Sequence, residues 1–288
     1  MKNFFLITIF ANIKIDDIQR LNRFKKSFFS IEGIKPDLWV INIRGKFRKF
    51  AYAFLNTNIK KNKLILFDLN SKQGWFYDTR KMLPYIKTKL VFIWNEDYIL
   101  KEKLKCIHNI IKDMNTLKID QFTYGSLSPD NYKLFKLLGC KETKYFFYKR
   151  FSKKSRLIFN KFKKKMNINS FIISLPTILN LKTFKKVLLS DHPPLKRWSK
   201  YTPFDFEKGP FDYDFLPITT AFPKNIHLFE DIDYDRVGSS VYLKNGKYLL
   251  KKKYLILKII IFPVKKVIIF LRETINFLIL KFFNQKYF

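Results

Sequence analysis

The chain has 288 residues, with 57 Lys and Arg against 23 Asp and Glu, a formal charge of +34. Its 47% hydrophobic and 18% aromatic content excludes a disordered tail or a histone-like arm, because such a chain can bury a core. Eight Gly exclude collagen-like architectures, and two cysteines, Cys106 and Cys140, are too few for a disulfide framework and fit a reducing compartment.

The charge invites a nucleic-acid reading, since Lys and Arg displace counterions from phosphate. Its make-up points elsewhere: Lys supplies 47 of the 57 basic residues and Arg 10, whereas base readers and phosphate clamps use the planar guanidinium fork. Its distribution is uneven. Residues 1–150 carry 30 basic and 13 acidic side chains, residues 151–200 carry 13 and 1, and residues 236–288 carry 12 and 1. Residues 201–235 reverse the sign, with 2 basic against 8 acidic, an acidic island that compositional drift alone does not produce.

In chain order, Phe4–Phe10 reads as a buried strand, too short to span a membrane and without a signal-cleavage site. Asp16-Asp17 precedes a helical pattern through Ile18, Leu21, Phe24 and Phe28, and Pro36-Asp37 breaks it. Leu38–Ile43 is a second strand, Arg44-Gly45-Lys46 a turn, and an amphipathic stretch runs to Leu55. Then come a strand over Lys63–Phe67, a helix over Gly74–Tyr85, a strand over Leu90–Trp94 and a helix over Glu102–Met114. Apolar strands alternating with helices predict an α/β fold with an open, mostly parallel sheet. Ligands in such sheets bind outside the carboxyl ends of the strands, which places Phe10–Asn12, Asn42–Lys46, Asp68–Ser71 and Asn95–Asp97 along one rim.

The second half is less regular. Strands are expected at Phe122–Leu127, Lys144–Tyr148 and Phe171–Leu175, and helices at Asn131–Leu138 and Leu181–Leu189. Residues 151–165 read as a solvated basic loop or helix face. Six of the eleven prolines fall between Pro193 and Pro223, which predicts a long shaped loop. Beyond residue 248 the chain is apolar, yet its longest uncharged run, Thr274–Leu280, is seven residues against the roughly 18 that a span needs. Lys251, Lys258, Lys265 and Arg272 recur every seven residues, the pattern of amphipathic helices lying in a membrane interface, with packing on the domain by the apolar face as the alternative.

Two constellations carry chemistry. Asn95-Glu96-Asp97 closes an apolar strand, and its adjacent carboxylates fit either a divalent cation bridging to phosphates or a helix N-terminus. Pro203–Lys208 sets Asp205 and Glu207 among phenylalanines, fitting either a general base with a raised pKa or a loop with Phe packed inward. Asp231, Asp233 and Asp235 lack the glycine and distal glutamate of a calcium loop, and His108, His192 and His227 have no metal-ligand spacing. Neither a P-loop nor a dinucleotide fingerprint occurs.

Leu6–Phe10 followed by Arg20-Leu21, Arg23-Phe24 and Ser27 resembles the first strand and helix of GT-A-fold glycosyltransferases, of the family 2 type. Trp39–Gly45 resembles their second strand, Trp94–Asp97 their acidic metal motif and Pro203–Lys208 the later segment with a catalytic carboxylate. The resemblance implies a GT-A-like domain over residues 1–245, divided into a nucleotide-sugar-binding half (1–120) and an acceptor half (121–245), with residues 246–288 a basic membrane-associating tail. It implies sugar transfer from a nucleotide-sugar donor to a surface-glycan or lipid-linked acceptor. Mn²⁺ or Mg²⁺ would sit at Asp97 and Glu96, and Glu207 would be the base with Asp205 the alternate. Phe10, Ala11, Asn42 and Arg44 would line the nucleoside pocket, with Gly74, Arg80 and Glu96 near the donor. Asn42 stands where that family often has an acid. The corresponding location is the cytoplasmic side, peripheral on the plasma membrane, with an anionic membrane surface as partner and no specific nucleic acid. The competing readings are a nucleic-acid-binding protein and a non-catalytic membrane-surface protein with a degenerate transferase fold.

Overall fold

A computed structural model describes residues 7–124, 139–155, 176–189, 216–224 and 228–232. The first strand, β1 (Ile7–Lys14), is buried along all but its last residue, and Asp17 then caps α1 (Ile18–Ile31) by accepting the Arg20 backbone N–H at 2.7 Å. Next come β2 (Leu38–Arg44), α2 (Arg48–Asn58), β3 (Leu64–Phe67), α3 (Trp75–Met82), β4 (Leu90–Ile93), β5 (Tyr98–Leu100) and α4 (Leu104–Thr116). The later elements are β6 (Gln121–Thr123), β7 (Lys141–Glu142), β8 (Phe146–Phe151), β9 (Thr177–Asn180), α5 (Leu181–Leu189), β10 (Ile218–Pro223) and β11 (Phe229–Asp231).

Nine strands form one sheet in the order β3-β2-β1-β4-β9-β6-β10-β8-β7, and β11 pairs with β5 in a separate two-stranded sheet. β1 to β4 are mutually parallel, as their apolar runs predict. Beyond β4 the sheet is mixed: β9 runs antiparallel to both β4 and β6, β10 is parallel to β6, and β8 is antiparallel to β10. The sheet is therefore largely parallel in strand direction, with β8 and β9 the two opposed strands.

The expectations for the second half need correction in detail. The strand read at Lys144–Tyr148 starts at Phe146, because Thr143 Oγ1 accepts the Tyr145 and Phe146 N–H groups and holds a turn there. β10 lies inside the stretch read as a long proline-shaped loop; Pro217 and Pro223 bound a short run that pairs on both sides. β5, β9 and β11 were not legible as strands. The strand expected at Phe171–Leu175, the helix at Asn131–Leu138, the end of the Phe122–Leu127 run and residues 246–288 lie outside the described residues.

Asp120 organises the far half. Its carboxylate accepts Asn180 Nδ2 at 2.7 Å and Thr219 N–H at 2.7 Å, and its own N–H donates to Thr219 O, so one acid ties β6, β9 and β10 at their common edge. In the near half an aromatic cluster packs α1 and α2 on the sheet. Phe24 stacks on Trp94 at 5.0 Å, and Phe28 meets Phe54 at 5.2 Å and Trp39 at 5.3 Å. Ser27 Oγ accepts Trp94 Nε1 at 2.8 Å and donates to Tyr98 O, which fixes α1 against the chain leaving β4.

Phe28 is 1% exposed, whereas its neighbour Phe29 is 52% exposed. Phe28→Ala is expected to cost about 3–5 kcal/mol through the cavity it leaves, and Phe29→Ala less than about 1 kcal/mol. Urea unfolding of both variants checks the contrast; similar losses would place the core of this half elsewhere.

Candidate functional site

The sheet order contains a topological switch. From β1 the chain builds outward through β2 and β3, then returns to β4 on the other side of β1, and such a reversal opens a crevice at the carboxyl ends. Trp94 N–H still donates to Phe10 O at 2.8 Å, after which β4 ends while β1 continues to Lys14. The segments meeting there are Lys14–Asp17, Arg44–Gly45, Leu69–Asp78 and Asn95–Asp97.

Asn12 and Asn42, in register on β1 and β2, hold this rim together. Asn42 Nδ2 donates to Asn12 Oδ1 and Leu69 O, both at 3.0 Å, and Asn42 Oδ1 accepts Leu69 N–H at 2.9 Å. Asn12 Nδ2 donates to Thr79 Oγ1 at 2.9 Å and Trp75 O at 3.2 Å, and Trp75 Nε1 donates to Asn12 O at 2.7 Å. Two neutral amides thus fasten the loop after β3 and the first turn of α3 to the central strands. Gly45 permits the adjoining turn: its φ is +98°, and a Cβ would lie 2.3 Å from Ile15 O and 2.7 Å from Asp16 Oδ1. Gly74, with φ +93°, starts α3 in the same way.

Charged groups line the rim over this frame. Arg20 Nε donates to Glu96 Oε1 at 2.5 Å, with the glutamate side chain 5% exposed. Lys14 pairs with Asp16 at 2.7 Å, and Arg48 pairs with Asp68. Arg44, at the end of β2, is half-buried, and burial lowers its pKa while the charge of Asp78 opposes that shift. Asp78 is wholly buried in the first turn of α3, and its Oδ2 accepts Ser71 N–H at 3.2 Å. Its Oδ1 and the Nε of Arg44 are both buried without a hydrogen-bond partner among the described residues. Buried polar atoms are nearly always paired, so an acceptor and a donor without partners single out Asp78 and Arg44 in this part of the fold.

The residues singled out in the sequence divide accordingly. Arg44 lies at the carboxyl end of β2, and Glu96 and Asp97 follow the carboxyl end of β4, on the same edge of the sheet. Phe10 does not line a pocket: it is fully buried, edge-on to Phe184 of α5 at 5.2 Å. Ala11 is likewise a core residue beneath the rim. Both have ordinary strand positions in a sheet covered on two faces, which an apolar run cannot distinguish from a pocket wall. Asn42 is at the rim, but both its amide hydrogens are used internally. Arg80 Nε donates to Leu188 O at 2.6 Å, tying α3 to α5 rather than facing the crevice. Glu207 and Asp205 lie outside the described residues. Asp78 escaped sequence reasoning because a lone acid in a short helix reads as solvated. The available signal was its phase: Trp75, Asp78, Thr79 and Met82 share one helical face, and all are buried.

For a divalent cation, the described residues hold no group of three His, Cys, Asp or Glu. Of the acids along the rim, Glu96 is paired with Arg20 and Asp16 with Lys14. The described residues therefore do not build a cation site by themselves; an ion here would need most of its ligands from phosphate oxygens and water.

No protein family and no curated protein matches the chain at the level of sequence. Solved structures resemble it distantly. HddC from Yersinia pseudotuberculosis is 14% identical with a TM-score of 0.42, covering 79% of this chain and 93% of that one. TarS residues 1–349 from S. aureus, in complex with UDP, is 9% identical with a TM-score of 0.42, covering 67% of this chain and 52% of that one. Mannose-6-phosphate isomerase from Helicobacter pylori is 13% identical with a TM-score of 0.40, covering 77% and 99% respectively. These likenesses assign no residue a role.

The amide frame predicts a pH effect. In Asn42→Asp an ionised carboxylate would face Leu69 O and Asn12 Oδ1, both acceptors, so its folded-state pKa is raised above the usual value of about 3.9. A raised carboxyl pKa means stability present at low pH and lost as pH rises through it. The variant is expected to be about 2–3 kcal/mol less stable than wild type at neutral pH and to recover part of that below about pH 4. Urea denaturation at both pH values checks this; a deficit independent of pH would show that the second amide reorients to donate.

Proposed function

We propose that the chain is a transferase acting on a nucleotide-linked substrate, and specifically a glycosyltransferase that moves a sugar from a nucleotide-sugar donor to a surface-glycan or lipid-linked acceptor. The observation that carries this reading is the pair of unsatisfied buried atoms, Arg44 Nε and Asp78 Oδ1, at the switch-point rim. A guanidinium donor beside a carboxylate acceptor is complementary to the edge of a nucleobase that carries a carbonyl next to a ring N–H. A buried site built to hydrogen-bond such an edge discriminates strongly against ligands lacking it.

In this reading Arg44 and Asp78 hold the base, and the Arg20–Glu96 pair fixes the adjoining end of β4. Asp97 would hold the Mn²⁺ or Mg²⁺ that comes with the diphosphate, which supplies charge neutralisation for the leaving group. Glu207, with Asp205 as the alternate, takes the proton from the acceptor hydroxyl. The excess of Lys supports an anionic acceptor or membrane surface as partner through general electrostatic attraction. Among the described residues no helix is long and apolar enough to cross a membrane, and association through residues 246–288 is part of the proposal.

Binding of UDP-, GDP-, CMP- and dTDP-sugars by thermal shift and calorimetry, with and without Mn²⁺, tests the assignment. Asp78→Asn and Arg44→Met are expected to weaken nucleotide binding by about tenfold or more each, the loss of a charged hydrogen bond. Asp97→Ala is expected to remove the Mn²⁺ dependence, and Glu207→Gln to lower transfer while leaving donor binding intact. Failure of the wild type to bind any of the nucleotides would end this assignment.

A further inference from the structure

A second polar feature lies on the same edge of the sheet, away from the switch point. A cavity of about 400 Å³ is bounded by the start of α4, the turn before β8 and the end of β10. Lys103, Lys105, Lys144 and Lys224 line it, with Glu102 the sole carboxylate of the lining. Lys224 is neutralised by Glu142 at 2.7 Å. Lys103, Lys105 and Lys144 have no ion-pair partner among the described residues; Lys144 Nζ lies over the Tyr145 ring at 5.7 Å. These three solvent-exposed ammonium groups outnumber the one carboxylate, Glu102, so the concavity carries a positive potential that attracts an anion. The floor is apolar, with Ile110 and Leu228, which leaves the lysines as the polar recognition elements.

We propose that this cavity is a binding site for a phosphate-bearing ligand, distinct from the switch-point crevice. Lys is a compact point charge suited to phosphate oxygens approached from several directions, whereas a carboxylate is matched better by the arginine fork, which this cavity lacks. The volume admits a group larger than one phosphate, such as a diphosphate or a phosphorylated headgroup. In the sheet order, β10 is three strand spacings from β4, about 14 Å along the rim. The proposal stands independently of the transferase reading, since neither cavity residues nor their charges enter that argument.

Cys106 lines the cavity and reports on its occupancy. Burial raises its pKa, Glu102 adds to the shift and Lys144 opposes it, while burial pushes Cys140 up to about 11. A bound phosphate both shields Cys106 and adds negative charge beside it, so occupancy slows its alkylation. In the full chain carrying Cys140→Ser, inorganic pyrophosphate is expected to slow iodoacetamide labelling of Cys106 by about tenfold. Lys105→Glu with Lys144→Glu is expected to abolish the protection. The milder Lys144→Gln should reduce it, and the charge-matched control Lys60→Glu with Lys61→Glu should retain it. Vesicles of phosphatidic acid, compared with phosphatidylcholine alone, separate the two sources of the phosphate. Protection by pyrophosphate identifies a soluble ligand, and protection by phosphatidic acid vesicles alone identifies a headgroup. Absence of protection by either, or protection undiminished in the Lys105/Lys144 double variant, overturns the site.

Discussion

The amide pair of Asn12 and Asn42 is the constraint on which the rim depends. Two adjacent parallel strands normally end in apolar side chains or in solvent. Here each contributes a neutral group with both donors and an acceptor, so the backbone of the neighbouring loop can be bound without burying a charge. The loop after β3 is held by Asn42, and α3 is held by Asn12 through Trp75 and Thr79. The start of α3 in turn determines where Asp78 lies. A charged residue in place of either amide would need a counter-ion inside the sheet, and an apolar one at position 42 would leave Leu69 with two unpaired backbone groups.

Over this neutral frame the protein distributes its charges in two ways. Some are closed off: Arg20 with Glu96, Arg48 with Asp68, Lys224 with Glu142. These fix geometry and leave little for a ligand. Others have no partner among the described residues: the buried Arg44 Nε and Asp78 Oδ1 at the switch point, and the exposed Lys103, Lys105 and Lys144 at the cavity beside α4. The same carboxyl edge of one sheet thus presents a mixed-charge rim and a predominantly basic cavity. A net charge of +34 gives no hint of this contrast, because most lysines are solvated and contribute only a diffuse field.

The near half of the fold was legible in the sequence because its strands are buried on both faces. That produces unbroken apolar runs at β1, β2 and β4, and the acidic cap and amphipathic phase of α1 follow from equally local signals. The far half was less legible for an opposite reason. β9 and β10 are short and adjoin proline, and their stability as strands comes from Asp120 and from neighbours far away in the chain. Local propensity carries no record of such partners.

By itself the sequence determined that the chain has an α/β core, that its strand ends form a polar rim, and that Arg44, Glu96 and Asp97 belong to it. These conclusions follow from periodicity and chain direction alone. Only the tertiary structure decided which rim residues are spent and which remain available. Glu96 became an anchor because Arg20 reaches it across 76 positions of sequence, and Phe10 became core because α5 covers it. Asp78 passed from an ordinary helix residue to a buried carboxylate, one oxygen of which has no partner among the described residues, because α3 is drawn onto the sheet by Asn12. Solvation and pairing are properties of what surrounds a side chain, and those surroundings are assembled from segments that no local pattern connects.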